Sequence, residues 1–429
     1  MPRPSAPKDV PGLPARRAAL RLLDAVLRRG DPLEGALHGA AQGLAPADRA
    51  LVHAIAAETL RHLSDLDALI DSATRQPLPH DAKARMVLRI ALVQVLALGT
   101  APHAAIATAL PLVDGGPRKL VHGVFGTLTR ADPALPSPPT LPHETTSRWA
   151  AQWGEAMPQA AAHAYAQRPP VDISLRDPGQ TAHWAEALNG LSLAPGHVRL
   201  PEGAVIPDLP GFDEGAWWVQ DLAASIPARL LGRGEGRDVL DLCAAPGGKT
   251  MQLAAAGWRV TAVDQSKKRL ERLNENLERT GLSAAIVQAD LRLWEPDAPA
   301  DAILLDAPCT ATGIYRRHPD VLHRIGARQI AELAEIQAEL LARAAAWLKP
   351  GGMLIYATCS LERAEGEEQV ARFLDEWKDF SALPATAAEL PDGTQPTAQG
   401  WVRTLPDNLA AQGGTDGFFV ARLIRSIKP

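Results

Sequence analysis

Residues 241–250 read DLCAAPGGKT, and no other segment indicates the class of fold as clearly. An apolar run typical of a buried strand precedes the segment, and a run with helical spacing follows it. The paired glycines Gly247 and Gly248 let the backbone approach a ligand closely. The spacing of a phosphate-binding P-loop is absent, although Gly248-Lys249-Thr250 ends the segment. A plain tight turn is the alternative, but the pattern favours a ligand site at the carboxyl end of a strand.

Strands and helices alternate around this segment, from Arg237 onward. The strand-like runs are Val239–Cys243, Val260–Val263, Ala285–Val287, Ala302–Leu305 and Met353–Ala357. The helix-like runs are Thr250–Ala256, Lys267–Thr280, Ala327–Leu348 and Glu365–Trp377. We also expect a loop at Ser381–Gly400 and a last hairpin from Trp401–Leu405 and Gly417–Ile424. The alternation predicts βαβ units with a mostly parallel sheet.

Acidic residues stand at the ends of four successive predicted strands: Asp241, Asp264, Asp290 and Asp306. An acidic residue about twenty positions after such a loop commonly binds ribose hydroxyls, which suits Asp264. Asp264 alone could equally cap the helix that follows it. Because no GxGxxG motif for a pyrophosphate is present, the pattern favours a cofactor with ribose and adenine only, such as S-adenosylmethionine.

Two cysteines also stand at strand ends, Cys309 in DAPCT and Cys359 in ATCS. A thiolate that adds to carbon 6 of cytosine makes carbon 5 nucleophilic enough to accept a methyl group, which is covalent catalysis. A single cysteine is more often a small buried hydrophobe. Two at one sheet edge favour chemistry. The three cysteines form no CxxC pair, so we expect neither a disulfide framework nor a metal site.

A basic loop follows Cys309 and contains Arg316, Arg317 and His318. Its charge suits contacts with RNA phosphates, although a solvated loop is an equal alternative. The first 130 residues carry 16 basic and 11 acidic residues, which gives +5 against −10 for the rest. A mildly basic module beside an acidic one is weakly compatible with a nucleic-acid partner.

Composition and breaker residues divide the chain into four parts. Residues 1–130 show helical periodicity, and residues 131–144 form a proline-rich linker. Residues 145–234 are mixed, with a strand-like run at Val171–Arg176 and a helix-like run at Leu222–Leu231, and residues 235–429 hold the α/β pattern. No run of about 18 apolar residues occurs, and Met1–Pro14 lacks the apolar core of a signal peptide. We therefore expect a cytoplasmic protein.

Three motifs in order, DLCAAPGGKT, DAPCTATGIYRRHPD and YATCS, resemble those of RNA cytosine-5 methyltransferases. The RRHPD continuation and the helical N-terminal part are similar to the bacterial 16S rRNA methyltransferases of the Sun/Fmu (RsmB) type. Arg17–Asp71 and Val87–Arg130 resemble their NusB-like, RNA-binding domain. The resemblance implies a multidomain protein: an all-α NusB-like domain, a small α+β middle segment and a Rossmann-like class I methyltransferase domain.

The resemblance also implies roles for individual residues. Cys359 would be the nucleophile, and Cys309 would assist release of the methylated product. Asp264 would bind ribose, Asp290 the adenine side, and Asp306 would lie near both cofactor and cytosine. The cofactor loop would comprise Cys243, Ala244, Ala245, Pro246, Gly247, Gly248 and Lys249. Lys249 and Asp306 are expected to belong to the catalytic set as well.

Three segments depart from the family pattern, at Asp177, Val321–His323 and His122. All three concern RNA recognition and leave the cofactor loop and the two cysteines unchanged. We expect 16S rRNA as substrate, a monomer, and neither metal nor membrane as partner. A tRNA cytosine-5 methyltransferase and a non-catalytic RNA-binding assembly factor are the alternatives, and the second is disfavoured because both cysteines and all strand-end acids are present.

Overall fold

A computed structural model describes residues 11–427 of the chain. The prediction made for Met1–Pro14 concerns a segment whose first ten residues lie outside this range. The helices up to residue 187 are α1 Leu13–Arg29, α2 Leu33–Ala40, α3 Pro46–Arg61, α4 Leu63–Ser72, α5 Lys83–Leu96, α6 Pro102–Ala109, α7 Gly115–Ala131, α8 His143–Trp153, α9 Ala156–Ala166 and α10 Thr181–Ala187. The later helices are α11 Leu222–Arg229, α12 Gly248–Ala255, α13 Lys267–Thr280, α14 Val321–Arg324, α15 Ala327–Ala346 and α16 Glu367–Glu376.

The strands fall into two sheets. The first three strands are β1 Asp172–Leu175, β2 His197–Arg199 and β3 Trp217–Val219. The others are β4 Asp238–Leu242, β5 Arg259–Asp264, β6 Ala285–Gln288, β7 Ala300–Asp306, β8 Leu348–Thr358, β9 Phe380–Ala382, β10 Val402–Thr404 and β11 Phe418–Arg425. The chain forms two compact units, one with residues up to Arg148 together with Arg317–Gly326, the other with Trp149–Arg316 and the residues from Ala327 onward.

The first unit is all helical, which confirms the predicted N-terminal fold. Its core is built from the apolar faces of α1 to α7, and α5 is buried on nearly every side. Two arginines of that central helix, Arg85 and Arg89, both pair with Asp67. The ion pairs with Asp67 compensate the cost of burying the two guanidinium charges in an apolar core.

The segment 317–326 completes this helical unit, although it lies far along the chain. Buried Asp320 accepts hydrogen bonds from the backbone N–H of Leu33 at 3.3 Å and from Nε of Arg324 at 2.8 Å. It therefore satisfies a free N–H in the first turn of α2. His323 shares a hydrogen bond of 2.7 Å with the carbonyl of Leu60.

The second unit contains both sheets. The small antiparallel sheet has the order β2-β1-β3, and Trp217 packs in its core with Ile173 and Val198. The large sheet has the order β10-β11-β8-β7-β4-β5-β6. Strands β4 to β8 are parallel, and β11 runs antiparallel between β8 and β10. The order reverses between β4 and β7, which is the switch point where ligands bind in such sheets.

The helices cover both faces of the large sheet and confirm the predicted α/β class. Leu340 and Leu341 of α15 pack on one face, and Ala223 and Ile226 of α11 pack on the other. The predicted hairpin is present as β10 and β11, whereas the predicted loop at Ser381–Gly400 begins with β9, which pairs with β11. Within the described residues, no helix is both long and apolar enough to span a bilayer.

Candidate active site

The loop between β4 and α12 lies at the switch point and requires its glycine. Cys243 follows β4 with φ 62°, and Gly247 has φ 104°. A Cβ on Gly247 would stand 2.9 Å from the side chain of Leu273. The left-handed conformation and the close approach both exclude a larger residue there. Strand, turn and helix thus hold the backbone of residues 243–248 at the carboxyl edge of the sheet.

Asp264 supports this loop from the end of β5. Its carboxylate accepts hydrogen bonds from the backbone N–H of Ala245 at 3.2 Å and of Ser266 at 2.8 Å. It also pairs with Arg269 at 2.6 Å, and the arginine side chain is half exposed. Asp290 lies two residues beyond β6 and pairs with Arg292 at 2.7 Å. Hydrogen bonds from Arg292 lower the pKa of Asp290 to about 2.

Lys249 and Asp306 form an ion pair behind the loop. Nζ of Lys249 donates to Oδ2 of Asp306 at 2.8 Å and lies 5.2 Å from the ring centre of Phe418. Burial alone would lower the pKa of Lys249, but the charge and hydrogen bond of Asp306, together with the charge of Cys359, outweigh it and raise the pKa. Lys249 therefore stays a cation beside the second cysteine.

The two strand-end cysteines are in contact. Sγ of Cys309 lies 3.4 Å from Sγ of Cys359, and both are free thiols. The hydrogen bond with Cys359 and burial raise the pKa of Cys309 well above its usual value, and the charges of Cys359 and Glu365 add to the rise. Either thiol can donate the hydrogen bond across this contact.

One cavity of about 490 Å³ brings most of the predicted residues together. Its lining includes Cys243, Ala245, Asp264, Asp290, Asp306, Cys309 and Cys359. Ala244, Pro246, Gly248 and Lys249 instead line an adjoining cavity of about 350 Å³, which shares Ala245 and Asp306 with the first. Both volumes lie in the range of small-molecule sites. The carboxylates and the thiols therefore open on one continuous edge of the sheet.

Asp241 is the most deeply buried of the four strand-end acids. Oδ2 of its carboxylate accepts a hydrogen bond from Thr250 at 2.6 Å, and Oδ1 has no partner among the described residues. Burial raises the pKa of Asp241 to about 7. The side chain lines the smaller cavity with Lys249 and Asp306. It is the one strand-end acid of the four that is wholly removed from solvent.

Sequence reasoning missed Glu365, which it placed merely at the start of a helix. This carboxylate is 0% exposed and contacts both cysteine loops, the segments that begin at Cys309 and at Cys359. It accepts hydrogen bonds from Thr310, Ser360 and Gln337. The one signal in the sequence was the hydroxyl that directly follows each cysteine, since a hydroxyl buried at such a strand end needs a hydrogen-bond partner.

The predicted RNA-contacting residues divide between the two units. Arg316 is 1% exposed and donates a hydrogen bond of 2.7 Å to the carbonyl of Gly413 within the second unit. Arg317 and His318 are half-buried and belong to the helical unit. Burial lowers the pKa of His318. The structure thus places the Arg316 guanidinium in a structural contact away from solvent.

Comparisons with known proteins agree with this fold. Residues 228–424 match the family model described as 16S rRNA methyltransferase RsmB/F, and residues 13–128 match the NusB family. The chain is 35% identical to ribosomal RNA small subunit methyltransferase B of Klebsiella pneumoniae subsp. pneumoniae, over 96% of this chain and 98% of that protein.

Two crystal structures share the fold. That of PH0851 has a TM-score of 0.72 at 24% identity and covers 96% of this chain and 99% of its own. That of NSun6 from Pyrococcus horikoshii with SFG has a TM-score of 0.57 at 21% identity and covers 67% of this chain and 99% of its own.

Proposed function

This chain belongs to the ribosomal RNA small subunit methyltransferase B family, and from that premise we propose that it methylates carbon 5 of a cytosine in 16S rRNA through a covalent cysteine intermediate. The methyl donor is S-adenosylmethionine. The observation that carries the covalent step is the 3.4 Å contact between two free thiols in a cavity that also contains the strand-end acids.

The cavity suits the donor in shape and chemistry. Asp264 and Asp290 present carboxylate oxygens, which accept hydrogen bonds from ribose hydroxyls and the adenine amino group. Apolar walls from Leu291, Pro308 and Leu340 suit the faces of adenine. The absence of a side chain at Gly247 lets the loop pack against Leu273 beside the cavities. When bound, S-adenosylmethionine supplies an electrophilic methyl group.

Cys359 carries the covalent step. Its thiolate attacks carbon 6 of the cytosine, and the displaced electron pair moves onto the ring toward carbon 5, which takes the methyl group. Lys249 stabilises the thiolate by its charge. Asp306 holds Lys249 through the 2.8 Å hydrogen bond and lines both cavities, so it can contact the base as well as the donor.

Cys309 acts in product release. Once a base has removed the proton on carbon 5, its electrons re-form the ring double bond and the bond from carbon 6 to Sγ of Cys359 breaks. The electron pair stays on that sulfur, and the Cys309 thiol donates a hydrogen bond to it. Support comes from the raised pKa of Cys309, which keeps this proton in place.

For RNA binding, we propose phosphate contacts by Arg317 and His318, with Arg316 as a support of the loop. Buried Arg316 is held by the carbonyl of Gly413 and would have to leave it to reach a phosphate. The helical unit resembles the NusB family and is a further surface for RNA.

Covalent trapping tests the mechanism most directly. Cys359→Ala should lose methyl transfer by at least about a thousandfold, because the proposed nucleophile is removed. Cys309→Ala should still transfer one methyl group and should stay attached to the RNA on denaturing gels. The double variant is the matched control and should form no adduct. A trapped Cys359→Ala with an inactive, adduct-free Cys309→Ala would show that the two roles are reversed.

Bisulfite sequencing of total RNA from a deletion strain and its parent tests the substrate. We expect one protected cytosine in 16S rRNA to lose its protection in the deletion strain. Loss at a tRNA position would instead favour the tRNA enzyme, and no change anywhere would favour the assembly factor.

A further inference from the structure

The buried carboxylate of Glu365 joins the two cysteine loops. The backbone N–H of Thr310, which directly follows Cys309, donates to Oε1 at 2.9 Å, and the Thr310 hydroxyl donates to Oε2. The hydroxyl of Ser360, which directly follows Cys359, donates to Oε2 at 2.5 Å. One carboxylate therefore contacts the residue after each thiol.

The same residue is fixed on its other sides. Nε2 of Gln337 on α15 donates to Oε1 of Glu365 at 2.8 Å and to the carbonyl of Pro308 at 2.9 Å. The hydroxyl of Tyr356 on β8 donates to the backbone carbonyl of Glu365 at 2.8 Å. The network thus spans β8, α15 and both loops, and it leaves the carboxylate little freedom to move.

We infer that Glu365 is a positioning residue for the proposed covalent reaction: it holds the two thiols in contact, and its negative charge keeps the proton on Cys309. The inference rests on the proposed function for its catalytic meaning. No contact with the base or the donor is assigned to Glu365, because it is wholly buried beneath the loops.

The charge on Glu365 follows from its hydrogen bonds. Four hydrogen bonds from neutral groups converge on the two carboxylate oxygens and favour the ionised form. Burial raises the pKa of Glu365, and the hydrogen bonds from Ser360 and Thr310 counteract the rise.

Different charged groups act on the two thiols. Glu365 acts on Cys309 and is among the causes that raise its pKa. The cation Lys249 interacts with the charge of Cys359. A difference of this kind separates a thiol that donates a hydrogen bond from a thiolate that attacks, although both have the same chemistry. It explains how a symmetric-looking pair acquires two roles.

Alkylation of the folded protein tests the inference without RNA or donor. Wild-type protein is treated with iodoacetamide, and modification of Cys309 and Cys359 is followed separately by peptide mass spectrometry. Cys359 should react faster in the wild type. Glu365→Gln removes the charge and keeps the shape, so the rate at Cys309 relative to Cys359 should rise about tenfold or more. Glu365→Asp keeps the charge and should keep a ratio close to that of the wild type.

Glu362→Gln is the matched control. Glu362 is also 0% exposed and lies three residues away, but its carboxylate accepts hydrogen bonds from Trp149 and Gln152. Its loss of charge should leave the alkylation ratio unchanged. In methylation assays, Glu365→Gln should lower kcat by about tenfold or more with little change in the KM for S-adenosylmethionine.

The outcomes separate this inference from the proposed function. An unchanged ratio in folded Glu365→Gln overturns the role of Glu365, whatever the variant does to methylation. Methylation by the variant that lacks both Cys309 and Cys359 overturns the proposed covalent function and leaves the alkylation result standing. If Glu365→Gln does not fold, Thr310→Val removes one donor from the network and should lower kcat at least about threefold with the KM unchanged; an unchanged kcat overturns the inference.

Discussion

The small sheet and the large sheet both bury an aspartate, and they treat it in opposite ways. In the small sheet, Asp172 is bound by Nε and Nη2 of Arg199 at 2.7 and 2.9 Å, by His197 at 3.3 Å and by the backbone N–H of Leu222 at 3.1 Å. In the large sheet, Asp241 receives one hydrogen bond from Thr250 and has an oxygen without a partner among the described residues.

The pKa values follow the partners. Burial alone would raise the pKa of Asp172, but hydrogen bonds from Arg199 and His197 outweigh it and lower the value to about 2. Burial raises that of Asp241 to about 7, and its single hydroxyl donor does not compensate. Asp172 is thus a buried charge that stabilises the fold. Asp241 is a buried carboxyl beside a cavity, and the fold leaves it without a charged partner.

Removing the cation from the small sheet should have the largest effect on stability. Arg199→Met leaves Asp172 as a buried charge without its main partner, and we expect a loss of about 3 to 5 kcal/mol in the free energy of unfolding. Denaturant unfolding followed by circular dichroism measures it.

Arg259→Met is the matched control. Arg259 binds Asp238 with the same two-point geometry, at 2.8 and 2.7 Å, but both side chains are largely exposed. Its loss should change stability far less. Equal effects from the two variants would mean that burial does not set the strength of these pairs.

In the large sheet, Asp241→Asn should abolish the pH dependence of stability that Asp241 causes. The raised pKa means that the folded state holds the Asp241 proton more tightly than the unfolded state does. The contribution of Asp241 to stability is therefore complete below its usual pKa of about 3.8 and is lost as the pH rises toward 7, by up to about 4 kcal/mol. The variant lacks this slope, so its stability relative to the wild type should rise between pH 4 and pH 8. A stability difference that stays constant between pH 4 and pH 8 would show that the pKa of Asp241 is not raised.

The features of the fold and of the site that depend on local sequence could be predicted. Strand β5, helix α13 and the strand-end positions of Asp264 and Asp306 follow from periodicity and turn residues. The parts that join distant positions could not. Asp320 meets Leu33 across 287 positions, and Arg316 meets Gly413 across 97.

Sequence analysis failed mainly to predict which polar residues are buried. Arg316 stands in a basic run that is typical of a solvent-exposed loop, and only the fold brings a backbone carbonyl to it. Glu365 lies at the start of a segment with helical spacing, and its inward direction depends on Thr310 and Ser360, which the tertiary structure supplies. Propensity and spacing describe which element forms, not which polar groups it encloses.

Asp264 lies between the two extremes, since it is buried but pairs with a half-exposed arginine. Asp264→Ala should weaken S-adenosylmethionine binding by up to about 3 kcal/mol, as for a lost charged hydrogen bond. It also removes the acceptor for the N–H of Ala245, so part of the effect comes from the loop. Arg269→Ala is the control in the same calorimetry, because it removes the ion pair but keeps the Asp264 carboxylate, so most of the affinity should remain. Equal affinity in Asp264→Ala would remove this residue from the site.

The loss of stability that Asp172 causes at acid pH is the smallest of the predicted effects, and its direction follows directly from the lowered pKa. Because the pKa of Asp172 is lowered to about 2, the unfolded state takes up its proton first as the pH falls. The stabilisation is present above the usual pKa of about 3.8 and is lost as the pH falls toward 2, by about 2 kcal/mol.

Unfolding curves of the wild type and Asp172→Asn between pH 2 and pH 6 measure this loss. The difference between the two proteins should shrink as the pH falls below 4, because a protonated Asp172 resembles the asparagine. Below about pH 3.8 Asp241 is protonated in both the folded and the unfolded state, so Asp241→Asn should run parallel to the wild type there and diverge from it only above pH 4. If the wild type and Asp172→Asn also run parallel below pH 4, the small sheet does not hold its aspartate as a charge, and the two sheets differ in packing alone.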